Sequence, residues 1–210
     1  VEKIEQKDGK VKVFCTNEQI FEADRLICAI PTFSMSKIQF SPPLPKEKTD
    51  AMNALQYARI NKHACLFNER FWGREDFDMI TDKPGHYFYH ATKNQPGTKG
   101  ALISYSIGEK ADVFGWNNDT YRQQIVLESL KPIAQADKYL LKSVNYYWGT
   151  DRYSKGSFAV YAKGQWFTLQ PILKAKHLNI HFAGEHIADW QGFMEGAVVT
   201  GREAAEAVMS

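Results

Sequence analysis

The chain has few of the features that mark membrane, disulfide-rich or nucleic-acid-binding proteins. No apolar run approaches the ~18 residues that cross a bilayer, and the three cysteines, Cys15, Cys28 and Cys65, have no CxxC spacing. The net charge of +2 is far from that of a basic nucleic-acid binder. We therefore expect no membrane span, no nucleic-acid partner and no disulfide framework, with the cysteines as reduced core residues of a cytoplasmic protein.

Metal-ligand patterns and a dinucleotide-binding turn are also missing. The histidines show no metal spacing, so no metal site is predicted. No GxGxxG turn follows a strand, although this element cradles the pyrophosphate of a dinucleotide. The chain also opens in a strand-like pattern at Val1, with no initiator methionine and no signal segment. We therefore expect a fragment of a longer protein.

The residues that are present predict a globular chain of mixed α+β class. Hydrophobic residues make up 44% of the sequence, enough for the core of one or two domains. Alternating apolar residues predict a meander around an Asp8-Gly9 turn, and an apolar run predicts a buried strand at 26–30 that ends at Pro31. A helix is predicted next, with Ala51, Met52 and Leu55 among its apolar positions. Further strands are predicted at 59–67, 87–91, 100–107 and 141–148, with a helix at 118–130.

The end of the chain carries the clearest pattern for ligand binding. A short strand at 180–183 leads into Gly184-Glu185, and a helix is predicted at 193–209. One face of this helix is unusually small overall, which suits close packing; it consists of Phe193, Ala197, Gly201, Ala204, Ala205 and Val208. The helix N-terminus would place backbone donors beyond the strand, where Glu185 can accept hydrogen bonds from ligand hydroxyls. The alternative is that strand, loop and helix pack together without a ligand.

The two sequence runs at this point resemble the C-terminal signature of the flavin-containing amine oxidase family. They are HFAGEH at 181–186 and WQGFMEGAV at 190–198. The family includes monoamine oxidases, polyamine oxidases and L-amino-acid oxidases. The resemblance implies that FAD is contacted by Val1, Trp148, Gly184, Glu185, Gly192, Phe193, Met194, Glu195, Gly196 and Ala197.

The resemblance extends upstream and implies a domain division. Residues 23–31 are similar to the strand that leaves the family's FAD domain, and residues 40–45 to the start of its substrate domain. We therefore expect FAD-binding strands at 1–31, an α+β substrate-binding domain with a mixed sheet at 32–178, and a strand and helix of the FAD-binding domain at 179–210. The N-terminal Rossmann half would be absent from this chain.

Lys62 is the candidate catalytic residue. Its strand face otherwise carries Ile60, Ala64 and Leu66, and an ammonium buried among them would need a partner. One interpretation is a lysine that reaches solvent from an edge strand. The other comes from the resemblance, because the spacing to residues 71–72 matches the family's lysine that holds a water near flavin N5.

The resemblance also implies residues of the substrate site. Phe158 and Phe193 fall where monoamine oxidases place two tyrosines, and Tyr89 falls near a tyrosine that binds the substrate carboxylate in L-amino-acid oxidases. Trp148 would flank the flavin. Ser157 replaces the cysteine that monoamine oxidases bond to the flavin, so noncovalent FAD is expected.

The function implied is an FAD-dependent oxidase that converts an amine or L-amino acid to the imine and reduces oxygen to hydrogen peroxide. The partners would be the small-molecule amine or amino acid, oxygen and the missing half of the enzyme. The chain alone is expected to be inactive and to lack FAD. The alternatives are a flavin enzyme of the protoporphyrinogen oxidase or carotenoid desaturase type, and a non-catalytic binding domain.

Overall fold

A computed structural model describes residues 1–209. The strands β1 to β13 are Lys3–Lys7, Lys10–Phe14, Ile20–Ala23, Leu26–Cys28, Gln39–Ser41, Gln56–Tyr57, Ile60–Phe67, Asp78–Ile80, Tyr87–His90, Gly100–Ile107, Leu140–Tyr147, Ala159–Val160 and Ile180–Phe182. The helices α1 to α6 are Thr32–Met35, Lys46–Ala54, Glu109–Gly115, Asp119–Leu130, Gln165–Lys174 and Met194–Met209. Short 3-10 helices lie at Ala136–Tyr139, Trp148–Thr150 and Glu185–Ile187. None of the helices in residues 1–209 combines the length and apolar character needed to cross a bilayer.

The described chain divides into two compact units. The first unit is Val1–Tyr57 together with the segment from Phe158 onwards, and the second is Ala58–Ser157. These limits differ from the domain limits predicted after residues 31 and 178. Compactness does not assign a role to either unit, so the division into FAD-binding and substrate-binding parts stays a prediction.

The first unit contains a four-stranded sheet and two strand pairs. The sheet has the order β3-β2-β1-β5, and β1 and β2 form the predicted hairpin around Asp8 and Gly9, which both have positive φ. Strands β4 and β13 pair in parallel, and β6 pairs with β12. Helix α2 places Ala51 and Met52 in the core of this unit, as the apolar pattern predicted, and Leu55 joins them directly after the helix ends. The segment 32–57 joins this unit because α2 packs into its core.

The second unit is built on a five-stranded antiparallel sheet with the order β11-β7-β10-β9-β8. Its core includes Cys65 and Phe67 from β7 with Phe114, Val126 and Leu130 from α3 and α4. The predicted strands and the helix at 118–130 are present, whereas the short edge strand β8 was not predicted. The predicted α+β class is confirmed at the level of a fold with both helices and sheets. The sheet of this unit is antiparallel throughout, whereas a mixed sheet was predicted for residues 32–178.

The cysteines are only partly where the sequence predicted them. All three are free thiols, and Cys28 and Cys65 are buried, whereas Cys15 is half-buried beyond the end of β2. Burial raises the pKa of the Cys65 thiol to about 12. Cys65 is therefore a protonated core residue at neutral pH.

Candidate functional site

The turn after β13 in the first unit is held by a hydroxyl from α6. Gly184 has a φ of 132°, a conformation that side chains disfavour. The Gly184 amide donates to Oγ1 of Thr200 at 3.0 Å, and Thr200 is buried. The turn is thereby fixed to the second turn of the helix.

Glu185 has a structural role that sequence reasoning did not find. Its Oε1 accepts a hydrogen bond from the amide of Ala159 at 2.9 Å, and its Oε2 accepts one from the amide of Gly192 at 2.7 Å. One carboxylate thus ties β12 to the loop that precedes α6. Remaining lone pairs of the same oxygens can still accept from a ligand hydroxyl. The two partners lie 26 and 7 positions away, so no local pattern indicated them.

The packing face of α6 differs from the predicted one. Gly196, Thr200 and Ala204 form the buried stripe, so only Ala204 of the predicted face is buried. Thr200 was not part of the predicted face, and its buried hydroxyl is satisfied by backbone groups, including the carbonyl of Gly196 at 3.0 Å. A Cβ atom on Gly196 would collide with the Trp190 carbonyl and lie 2.7 Å from Ala188. Glycine is therefore required for this close approach.

An exposed apolar patch surrounds the start of α6. Its members, the α6 patch, are Trp190 (67% exposed), Phe193 (65%), Met194 (89%) and Val198 (65%). Four large apolar side chains exposed together indicate a binding surface. The helix N-terminus adds backbone donors and positive partial charge. A flat, electron-rich ring system such as that of a flavin fits this combination.

The first unit brings most of its predicted site residues together. A Cβ atom on Gly192 would lie 3.3 Å from the ring of Phe158, so Phe158 lies against the loop that carries Gly192 and Phe193. Glu185 binds the same loop. Val1 precedes β1 of the four-stranded sheet and is exposed.

Lys62 lies on the exposed face of the second unit's sheet, which it shares with Ala64 and Leu66 as predicted, so its ammonium is not buried. It reaches solvent from a central strand rather than from the edge strand of the first interpretation. The buried face of β7 carries Asn61, His63, Cys65 and Phe67, whereas Lys62 and Leu66 are exposed. The face of Lys62 carries two large apolar side chains of β7, Ile60 and Leu66. Of these two, only Ile60, at the end of the strand, is buried. The ammonium does not need a buried partner in this chain.

Tyrosines line the exposed sheet face beside Lys62. In the strand register Lys62 is opposite Tyr146 on one side and Tyr105 on the other, and Tyr105 is opposite Tyr87. The Lys62 Nζ lies 5.4 Å from the centre of the Tyr105 ring. Tyr89 lies on the same face, with its ring 5.7 Å from that of Tyr87. We call these four tyrosines and Lys62 the tyrosine face.

Trp148 is connected to the tyrosine face through Tyr146. It directly follows β11, and its ring packs edge-on against Tyr146 with the ring centres 4.6 Å apart. The Tyr146 hydroxyl donates to Oδ2 of Asp151 at 2.7 Å. This hydrogen bond has the largest effect on the pKa of the Asp151 carboxyl, and the bonds from Ser154 have the next largest. Together they hold this pKa well below its usual range. The bond also raises the pKa of the Tyr146 phenol.

The opposite, buried face of β7 carries polar groups that the sequence did not single out. His63 Nδ1 lies 3.1 Å from Oδ1 of Asn145, and burial lowers the pKa of His63. Within residues 1–209, neither polar atom of the Asn61 amide has a hydrogen-bond partner. No group of three or more potential metal ligands occurs in this described part of the chain.

Comparison with known proteins identifies the family. The family model described as "Flavin containing amine oxidoreductase" matches residues 1–209. The chain belongs to this family. Its members are oxidoreductases, so the resemblance seen in the sequence is confirmed at this level.

The relatives include L-amino-acid oxidases. That of Demansia vestigiata is 29% identical over 194 residues, which cover 89% of this chain and 38% of that protein. That of Echis ocellatus is 28% identical over 220 residues, covering 99% of this chain and 44% of that protein. The chain therefore spans less than half the length of these curated relatives.

Solved structures show the same fold. Cyclohexylamine oxidase from Brevibacterium oxydans IH-35A matches with a TM-score of 0.87 at 21% identity, over 99% of this chain and 47% of that chain. Wild-type putrescine oxidase bound to putrescine matches with a TM-score of 0.89 at 20% identity, over 100% of this chain and 48% of that chain. At these identities the likeness concerns the fold and does not assign a substrate.

Proposed function

We propose that this chain is part of an FAD-dependent oxidase that converts an amine or L-amino acid to the imine and reduces oxygen to hydrogen peroxide. The observation that carries the proposal is the hydrogen bond from the Gly192 amide to the Glu185 carboxylate, which fixes the loop before α6, next to the exposed α6 patch. Family membership and the L-amino-acid oxidase relatives support the same reaction class.

In the first unit, the residues around the start of α6 would hold the ring system of FAD. Bound FAD would supply the redox chemistry, taking a hydride equivalent from the carbon that bears the amine and passing electrons to oxygen. The α6 N-terminus would stabilise negative charge on the ring, since its backbone donors are already oriented. Gly192 and Gly196 allow close approach, and Phe158 and Phe193 would face an apolar substrate group.

In the second unit, Lys62 would be the residue that acts on oxygen. An ammonium can hold a water or polar atom and stabilise negative charge that develops on oxygen. Water would weaken this effect on an exposed face, because Coulomb energies fall steeply at high dielectric. The proposal therefore requires that the tyrosine face be shielded from solvent in the complete enzyme. Tyr89, on this face, would contact the substrate and Trp148 would flank the flavin.

The complete reading frame provides the test of the reaction class. The protein would be expressed with FAD and screened with amines and L-amino acids for hydrogen peroxide release. We expect release with a subset of these compounds, and bleaching of the flavin absorbance by the same compounds without oxygen. A flavin-loaded protein that none of them reduces would reject the proposal.

Noncovalent attachment of FAD is a separate prediction. Ser157 has a hydroxyl where attachment would need a thiol, and its amide is bound to the Ala58 carbonyl at 2.9 Å. Acid precipitation of the complete enzyme should therefore release all of the flavin into the supernatant. Flavin fluorescence that stays with the washed pellet would contradict this expectation.

The 210-residue chain purified alone is expected to be colourless and inactive. The chain has no GxGxxG turn, and the pyrophosphate contacts of that turn contribute strongly to dinucleotide binding. Its absorbance spectrum after purification with excess FAD should lack a flavin band. Flavin at close to one equivalent for each chain would contradict this expectation.

A further inference from the structure

The carboxylate of Asp151 accepts hydrogen bonds from groups within β11 and after it. Its Oδ2 accepts from the Tyr146 hydroxyl at 2.7 Å, and its Oδ1 accepts from the Ser154 hydroxyl at 2.8 Å. The Ser154 amide also donates to Oδ1 at 2.9 Å, as does the Tyr153 amide at 3.0 Å. Four donors on one carboxylate make a fixed turn, because hydrogen bonds to an ionised acceptor are stronger than those between neutral groups.

The hydrogen bond to Asp151 anchors the ring of Tyr146, which lies opposite Lys62 in the sheet. Tyr146 is 47% exposed, so its ring would change rotamer freely without an anchor. Directly opposite residues of antiparallel strands have their Cβ atoms ~5 Å apart, so the Tyr146 ring limits where the Lys62 side chain can lie. The same ring packs against Trp148. The Asp151 carboxylate thus restrains the Tyr146 ring, which contacts Trp148 and lies opposite Lys62.

We propose that Asp151 is a positioning residue that acts through the ring of Tyr146 to fix Lys62 and Trp148. This inference rests on the proposed function, in which Lys62 assists the reaction with oxygen. Tyr146 is the contact and Asp151 is its anchor, so removal of either partner should have the same consequence. Three of the four donors come from the turn itself, and the fourth, the Tyr146 hydroxyl, links the turn to the sheet.

The experiment uses the full-length enzyme with the variants Asp151→Asn, Tyr146→Phe and their double variant. Ser154→Ala is the matched control, since it removes another bond to Asp151 but leaves the Tyr146 bond and the Ser154 amide in place. The flavin is reduced photochemically, without any amine, and then mixed with oxygen in a stopped-flow instrument. We expect Asp151→Asn and Tyr146→Phe each to slow this reaction roughly tenfold, because small displacements of reacting groups are costly.

The double variant should be no slower than the slower single variant, as expected for two partners of one interaction. Ser154→Ala should stay within about twofold of the unaltered enzyme. Equal slowing by Ser154→Ala, additive effects of the two variants, or no slowing by either would overturn the inference. Because no amine is needed, these outcomes are independent of whether the enzyme oxidises amines.

A second readout does not depend on flavin. In protein labelled with ¹³C at the tyrosine phenol carbon, the Tyr146 signal is assigned by its loss in Tyr146→Phe. Its phenol should titrate above the ordinary tyrosine range and move to lower pH in Asp151→Asn, since the bond to the carboxylate favours the protonated phenol. An unchanged titration would show that the bond is not formed in solution and would overturn the inference.

Discussion

Replacing Lys62 with methionine in the complete enzyme is expected to slow the reaction of the reduced enzyme with oxygen by ~10²-fold, comparable to the loss of one preorganised donor from an oxyanion site. Reduction by substrate should change only a few-fold, because that step creates no anion beside Lys62. The magnitude applies to a tyrosine face that is shielded from water, where the charge is weakly screened. Stopped-flow traces of the two half-reactions, recorded separately, measure both rates.

Lys142→Met is the matched control for this experiment. Lys142 lies opposite Leu66 on the same sheet face and is exposed, so its replacement changes the net charge equally. It should leave both half-reactions close to those of the unaltered enzyme. Equal slowing of both half-reactions by Lys62→Met would indicate structural damage. Similar effects of the two variants would mean that overall charge, rather than the place of Lys62, controls the reaction.

The strand that carries Lys62 shows how far the sequence could predict the fold. Alternation in residues 59–67 identified the strand and its two faces correctly. It did not show which face is buried, because apolar and polar residues occur on both. Which face of β7 is buried depends on α3 and α4, because these helices bring Phe114, Val126 and Leu130 to the face of Cys65. That packing buries Asn61 and His63 and leaves Lys62 in solvent.

The site around Glu185 was predictable in its local pattern only. A strand, a Gly-Glu turn and a helix could be recognised from neighbouring residues, and the observed order β13, turn and α6 agrees. The bond from Glu185 to Ala159 is a long-range contact that depends on the folded chain. For the same reason Tyr105 and Tyr146 were not recognised as neighbours of Lys62, since cross-strand register cannot be read from one strand.

Acid is expected to destabilise the first unit through His186, which follows Glu185 in the signature. His186 is buried, and its pKa is lowered from the ordinary 6.5 to about 4. Burial is the larger cause, and the positive charge of Lys48 is the smaller one. The folded state therefore binds fewer protons than the unfolded state below pH 6.5. This contribution to stability is complete above that pH and is lost as the pH falls towards about 4. At about 1.4 kcal/mol for each pKa unit, the total loss is ~3 kcal/mol.

The difference in free energy of unfolding between the unaltered chain and a His186→Gln variant isolates the contribution of His186, because both proteins contain the same carboxylates that titrate in acid. Lys48 stays charged throughout the range, since burial lowers its pKa only to about 8, and its Nζ remains bound to the carbonyls of Ile172 and Leu173. Free energies of unfolding from urea titrations between neutral pH and pH ~4.5 should converge for the two proteins as the pH falls. Parallel curves for His186→Gln would mean that the imidazole becomes protonated equally well in the folded state, which its burial among the residues of the first unit should prevent.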